Sequence, residues 1–435
     1  MERTDGRAWN MPRTHRIITD YVRTATGSCL IETGGTRVIC TASAEPGVPP
    51  FLKGKNCGWL TAEYAMLPAS TGHRKQRDGL KKDGRGVEIS RLIGRVLRQA
   101  IDRNRMGEYT ITIDCDVLEA DGGTRTAAIT GGFVALCCAI DHMIHEGILK
   151  ESPIIHQIAA ISAGVVSGEA CLDLCYAEDS IADTDMNFVM NESNEFIELQ
   201  GTGEGAAFSR EKLDLLIDLG ESGCRQLMAC QREALGERAQ WIGQKQKLVL
   251  ASNNSHKIKE LRTMLGDRYD VLSMNEAGFN GPIVENGTTF EENACIKAET
   301  VMHATGYLSL ADDSGLSVEA LDGAPGVHSA RYAGEQHCDQ DNNDLLMKNM
   351  ASVPADKRKA CFVSCIAIAS PFKPTQTVRG ECPGVITFSP RGHDGFGYDP
   401  YFEYCNGRTF AEMSSEEKNR ISHRARAMEK ALKLL

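Results

Sequence analysis

The chain lacks the marks of export, membrane insertion and structural zinc. Its first residues, Met1-Glu2-Arg3-Thr4-Asp5-Gly6-Arg7, have no apolar core of the kind a signal peptide carries. No apolar run approaches the roughly 18 residues needed to cross a bilayer. A cytoplasmic location without membrane contact is therefore expected, and the 16 cysteines are expected to stay reduced. No C-x-x-C pair or His cluster completes a zinc set. Cys171 with Cys175, and Cys361 with Cys365, lie four apart in strand-like runs, where both members share one apolar face. Positive charge is also in short supply: 48 Lys and Arg face 59 Asp and Glu, a net charge of -11. That balance argues against a protein that coats nucleic acid over its whole surface.

What is present points to more than one domain. A chain of 435 residues exceeds what one hydrophobic core serves, and 42% hydrophobic with 25% charged residues is ordinary for folded soluble proteins. The polar stretch Gly236 to Gln246 is followed by the apolar run Leu248-Val249-Leu250-Ala251, then Ser252-Asn253-Asn254-Ser255-His256-Lys257 and a helical pattern. An α/β nucleotide-binding domain opens in this way, here in mid-chain. The expected organisation is a first domain over 1–242, a linker over 243–246 and a second domain over 247–435.

In the first half, Ser28 to Ser43 and Tyr109 to Leu118 alternate as strands do. Ile111, Ile113, Cys115 and Val117 face one way; Thr112, Asp114 and Asp116 face the other. Val87 to Ile101 reads as an amphipathic helix with Arg91, Arg95 and Arg98 on its polar side, and Arg85 just before it. From Thr71 to Arg105 there are 11 Lys and Arg against 4 Asp and Glu. Alone, such a stretch reads as a solvated helix face. Asp121-Gly122-Gly123-Thr124-Arg125-Thr126 precedes an apolar helical run from Ala127 to Ile144. Glycines admit an anion to the backbone, and helix N–H groups point at it. The acids of Glu178 to Asp185 are expected in a strand-to-strand loop. They suit Mg²⁺, which takes one or two carboxylates plus water and substrate phosphate, or else form a solvated turn.

These stretches, with Gly58 to Pro68, Glu88 to Arg95, Asp114 to Leu118 and Leu199 to Glu204, resemble ribonuclease PH over residues 1 to about 240. The resemblance implies an α+β fold of ribosomal protein S5 domain 2-like β-α-β units. It also implies a phosphate-dependent 3′→5′ exoribonuclease that trims tRNA 3′ ends, with other structured RNA as further substrates. Inorganic phosphate would be the co-substrate, held by Arg85, Gly123, Thr124 and Arg125. Asp179 and Asp185 would be catalytic and hold Mg²⁺, and Arg74, Arg77, Arg91, Arg95 and Arg98 would bind RNA. Relatives form hexameric rings. Ala69 departs from the arginine common after Pro68, which puts the grip on tRNA in question.

In the second half, Ser252 to Lys257 lies at a helix N-terminus without Walker spacing, and Lys257 to Leu265 reads as that helix. Thr289-Phe290-Glu291-Glu292 is a capping box, in which Glu292 serves either the backbone or a metal. Leu308 to Ala311 reads as a strand ending at Asp312-Asp313-Ser314-Gly315, with one of the two carboxylates entering the site. Gly395-Phe396-Gly397-Tyr398-Asp399-Pro400 offers rings to stack on a base and an acid to accept from it. Lys418, His423 and Arg424 fall in a charged helical region. With Thr289 to Ala298 and Gly323 to Tyr332, these stretches resemble the inosine triphosphate pyrophosphatase family over 247–435.

That resemblance implies a mixed, twisted, elongated α/β domain, dimeric in relatives, hydrolysing ITP, dITP and XTP to the monophosphate and pyrophosphate with Mg²⁺. Asp313 would activate water or hold metal, with Glu292 as a second metal ligand. Lys257 and Lys297 would neutralise phosphates. Ser252, Asn253, Asn254, Ser255, His256, Ser314, Phe396, Gly397, Tyr398, Asp399, Lys418, His423 and Arg424 would contact the nucleotide. Val284 stands where some relatives carry an additional acid. Two alternatives stay open: a first half that only holds RNA, and a second half acting on other nucleotides.

Overall fold

A computed structural model of the chain describes residues 3, 5–77, 83–205, 207–252, 255–334, 336 and 338–435, without the side chains of 255–257, 260, 415 and 419. It divides into two compact units, Met1–Gln244 and Lys245–Leu435. The residues expected as a linker are claimed by the two units. Gly243 N–H donates to Ile154 O at 3.0 Å and Gln244 O accepts from Arg105 at 3.2 Å, while Gln246 already pairs with Tyr269.

The first unit starts with strands β1 (His15–Thr19), β2 (Gly27–Thr33), β3 (Thr36–Pro46) and β4 (Trp59–Met66). Helix α1 (Gly84–Leu97) leads to β5 (Tyr109–Glu119) and α2 (Thr124–His145). The sheet order is β1-β2-β3-β5-β4, with β4 parallel to β5 across the α1 connection. The alternation read in β5 is present: Ile111, Ile113, Cys115 and Val117 are buried. Helix α1 begins three residues before Val87 because the Asp83 side chain accepts from Arg85 N–H and caps it.

A second sheet, β7-β6-β8-β9, comprises β6 (Ile158–Val166), β7 (Glu169–Leu172), β8 (Thr184–Asn191) and β9 (Phe196–Gly203). The short helix α3 (Tyr176–Asp179) joins β7 to β8, and α4 (Arg210–Leu235) covers the sheet. Helix α2 packs against β2 and β3 of one sheet and β6 of the other. Thr130 Oγ1 donates to Ala160 O and accepts from Ala160 N–H. Being covered on both sides, α2 is buried around most of its girth. This helix corrects one expectation. Its 22 residues are apolar enough to cross a membrane by length and composition, because Ala, Gly and Thr fill the places a soluble helix gives to charge. Its burial inside the unit makes it a core helix. The run from Cys171 is corrected too: the strand ends at Leu172, and Cys175 caps α3 instead of continuing the pleat.

The second unit contains β10 (Gln246–Leu250), α5 (Ser255–Leu265), β11 (Tyr269–Ser273), α6 (Phe290–Thr305) and β12 (Leu308–Val318). It continues with α7 (Asp339–Asn349), β13 (Lys359–Ser370), β14 (Lys373–Ile386), β15 (Phe402–Tyr404), α8 (Ser415–Ile421) and α9 (His423–Ala431). The sheet β11-β10-β12-β13-β14-β15 is parallel at β11-β10-β12 and antiparallel beyond. Helix α6 packs on one face through Ala294, Ala298 and Val301, and α9 on the other through Ala427 and Ala431. The strand expected to end at Asp312 runs on to Val318, since β13 supplies antiparallel partners from Ser309 to Val318. The parallel neighbour β10 stops pairing at Leu310, so Asp312 and Asp313 stand just past the carboxyl end of the parallel half.

Candidate active sites

Two loops of the first unit press together to make one site. Gly122 (φ +74°) and Gly123 (φ +65°) turn the chain into α2. A Cβ on Gly122 would lie 2.6 Å from Leu174 O, so only glycine lets the loop before α2 meet the loop before α3. Thr124 opens α2, and its Oγ1 lies 2.8 Å from the Tyr64 hydroxyl at the end of β4. The positive dipole end of this 22-residue helix therefore starts beside the Tyr64 hydroxyl, on which the Arg85 and Arg125 guanidiniums both act. Arg125 donates to Gln200 Oε1 at 3.1 Å, which steadies it from β9.

Asp179 closes α3 and Asp185 sits in β8, between Gly164 and Thr202. Burial and the neighbouring Asp179 push the Asp185 carboxyl up to about 6, with Glu204 adding to the rise and Arg125 and Arg85 opposing it. Asp179 is raised by burial and by Glu204, and pulled down by Arg85, Arg125 and Arg13. Electrostatically, the two cations and the carboxylates form one site. Crowded, part-buried carboxylates are what a divalent cation relieves, so the pair fits Mg²⁺. Among the described residues no group of three or more His, Cys, Asp or Glu side chains forms a metal cluster, but Mg²⁺ needs only one or two carboxylates when substrate phosphate supplies further oxygens.

In the second unit, Asp313 shares the α6 face of β12. Lys297 Nζ lies 2.8 Å from Asp313 Oδ1 and 3.1 Å from Glu285 Oε2. Asn293, one turn before Lys297, donates to Asp313 Oδ2 at 3.4 Å and accepts from Gly287 N–H at 2.8 Å. Burial raises Asp313 despite Lys297, and Glu285 adds to the rise. Burial works against the Lys297 charge, but Asp313 and Glu285 outweigh it and hold its pKa above the ordinary value. Asp312 faces the other way, 3.7 Å from Arg424 Nε, so one carboxylate enters the α6-side cluster.

Arg424 Nη2 donates to Ser314 Oγ at 3.2 Å, and the His423 ring stacks on Phe362 at 4.9 Å. Phe396 is 61% exposed, with the Lys418 ammonium 4.8 Å and the Arg424 guanidinium 5.5 Å from its ring. An exposed ring flanked by cations can stack on a base and neutralise an anion.

Residues 12–140 match the 3′ exoribonuclease family, domain 1, and residues 156–223 match domain 2 of that family. Residues 248–434 match the Ham1 family. Ribonuclease PH of Corynebacterium efficiens is 54% identical over 236 residues, 54% of this chain and 96% of that protein. The chain belongs to the ribonuclease PH family and carries a Ham1 family domain. The Staphylococcus aureus Ham1 protein is 39% identical over 42% of this chain and 95% of its own, with a TM-score of 0.41. A nucleoside-triphosphatase (dITP/XTP pyrophosphatase) from Mycobacterium abscessus is 40% identical over 43% of this chain and 98% of its own, with a TM-score of 0.40.

Several residues expected in these two sites are engaged elsewhere. In the ribonuclease PH unit, Arg74, Arg77 and Arg91 are exposed, and Arg95 is paired with Glu198 at 2.8 Å. Arg98 departs from its expected role: it is half-buried, 4.7 Å over the Trp59 ring, and donates to Leu60 O at 2.9 Å. In the Ham1 domain, Glu292 Oε2 accepts from Thr288 N–H at 2.6 Å and Thr289 N–H at 3.2 Å, closing the capping box. Glu285 stands beside Lys297 in its stead. Glu285 lies in the loop before α6, twelve residues ahead of Lys297, and no periodicity in that loop signals its place in the pattern.

Asp399, expected to accept from a base, is 3% exposed; its Oδ2 accepts from Phe396 N–H at 2.9 Å and pairs with Lys418. Tyr398 is 5% exposed and donates to Ser329 O at 2.8 Å, which leaves stacking to Phe396. Gly397 is held from α7: its N–H donates to Asp339 Oδ2 and its carbonyl accepts from Asn343. Ser252 follows β10, its N–H on Leu250 O. Asn253 and Asn254 lie outside the described residues, as do the side chains of Ser255, His256 and Lys257.

Proposed function

We propose that the chain is a bifunctional enzyme. The first unit is a phosphate-dependent 3′→5′ exoribonuclease acting on tRNA 3′ ends and other structured RNA. The second is a pyrophosphatase that converts ITP, dITP and XTP to the monophosphate and pyrophosphate. The observation that carries the first activity is the cationic cradle of Arg85, Thr124 and Arg125 facing Asp179 and Asp185. Phosphoryl transfer needs in-line positioning and charge neutralisation more than covalent help from the protein. The cradle holds inorganic phosphate while one of its oxygens attacks the terminal phosphorus of the RNA. The P–O3′ bond breaks, the shortened RNA keeps its 3′ oxygen, and a nucleoside diphosphate leaves. Mg²⁺ bound at Asp179 and Asp185 would neutralise charge on the scissile phosphate.

In the second unit Asp313 accepts a proton from the attacking water, a role suited to a carboxylate raised by burial and steadied by Lys297. Mg²⁺ near Asp313 and Glu285 would bind the triphosphate. Phe396 stacks on the base, and His423 and Arg424 donate toward a purine 6-oxo group. Adenine offers an amino group there and leaves a donor unpaired, which is how such a site rejects it. We further propose a cytoplasmic homo-oligomer, hexameric through the first unit and dimeric through the second, in which exposed Arg74, Arg77 and Arg91 meet the RNA backbone.

Product identity tests the reading. Labelled tRNA precursor should be shortened only with inorganic phosphate, releasing nucleoside diphosphates, and ITP should yield IMP and pyrophosphate. RNA that binds but is never shortened would make the first unit a scaffold. Equal turnover of ATP and ITP would refute the purine selectivity.

A further inference from the structure

The phosphate cradle and the carboxylate pair lie on separate segments, and something must fix the distance between them. Arg13, 4% exposed, spans the junction. Its Nε donates to Asp173 Oδ2 at 3.0 Å and its Nη2 to Asp173 Oδ1 at 2.6 Å, a two-pronged pair reinforced by Arg13 N–H on Asp173 Oδ2 at 2.8 Å. The remaining nitrogen, Nη1, donates to Asp121 O, the carbonyl that opens the Gly122-Gly123-Thr124 turn. Asp173 is 2% exposed and stands at the start of the loop into α3, at φ +55°, a conformation the surrounding bonds must hold. Arg3 grips α3 from the same N-terminal segment. Its Nε and Nη2 reach the two oxygens of Glu178 at 2.8 and 2.7 Å, immediately before Asp179.

Resting on the phosphorolytic reading, we propose that Arg13 is a positioning residue. Through Asp121 O and Asp173 it sets the phosphate cradle at a fixed separation from the helix that carries Asp179. It touches no reacting atom. A guanidinium suits this task because its planar fork engages one carboxylate with two nitrogens and still has a third to spend; an ammonium has no such geometry. Displacing one reacting partner by about 1 Å costs roughly a hundredfold in such reactions.

The test is Arg13→Lys in the full chain, which keeps the buried charge and loses the fork. The companion Arg13→Met/Asp173→Leu removes both charges together, so no lone ion is left buried to unfold the unit. Circular dichroism and the thermal midpoint establish that at least one is folded. In the folded variant the KM for inorganic phosphate should rise about tenfold or more, with the KM for RNA changed less than about twofold, and calorimetric titration with inorganic phosphate should show the same weakening. An unchanged phosphate KM, or equal losses for phosphate and RNA, would overturn the proposal. If the unaltered protein never shortens RNA, the phosphorolytic reading fails instead, and the phosphate titration still decides whether Arg13 shapes the cradle.

Discussion

Asp313 and Lys297 form a part-buried ion pair, 2.8 Å between Oδ1 and Nζ. Burial raises the carboxyl and Lys297 opposes the rise, so the ammonium favours the charged form of a part-buried base. Lys297→Met removes the opposing charge. The acid limb of the ITP pH–rate profile should therefore move to higher pH, with activity lost sooner as pH falls. A profile limb that stays in place would show that Lys297 acts on the substrate alone.

Glu285 and Glu292 offer a cleaner distinction. Glu285 shares Lys297 with Asp313, whereas Glu292 caps α6. Glu285→Gln should lower ITP hydrolysis by about tenfold or more, as loss of one oriented charge does. Glu292→Gln should leave turnover nearly unchanged and lower the thermal midpoint of the second unit. Steady-state kinetics beside calorimetric unfolding would separate the two.

Asp185 is held at about 6, above an unfolded carboxyl near 3.9. A raised folded pKa stabilises below about pH 3.9, and that contribution fades as pH rises through about 6. Without added cation, Asp185→Asn should raise the thermal midpoint of the first unit at pH 8 and not at pH 4, while abolishing phosphorolysis. Mg²⁺ should stabilise the unaltered protein more at pH 8 than at pH 5, because the site must lose a proton to bind it.

Arg358 is 2% exposed and spends its guanidinium on four carbonyls, those of Ile386, Met350, Val353 and Thr387, beneath the Phe388 ring. Arg358→Met strands those acceptors. It should destabilise the second unit by about 3 kcal/mol in denaturant titration, a typical cost for buried polar groups left unpaired. The transition of the first unit should not move.

Much of this architecture is legible in the residues themselves. The alternation of β5, the apolar stripe of α1 and the capping box at Thr289 each depend on neighbours in sequence, and each appears in the structure. What escaped reading depends on contacts far apart in the chain. Antiparallel pairing with β13 carries β12 past Asp313 to Val318, and Leu172 ends β7 because Asp173 turns to meet Arg13, 160 residues earlier. Asp399 and Arg98 look like ligand-facing charges until Lys418 and Trp59 are brought against them. A charge pattern places such residues on a surface, but only the fold reveals that the charge is already spent.

The most direct test of two independent chemistries in one chain is a crossed pair of substitutions, Asp185→Asn and Asp313→Asn, each assayed for phosphate-dependent release of nucleoside diphosphate from RNA and for pyrophosphate release from ITP. The account predicts that Asp185→Asn loses the first and keeps the second, and that Asp313→Asn does the reverse. Loss of both activities in either folded variant would contradict it.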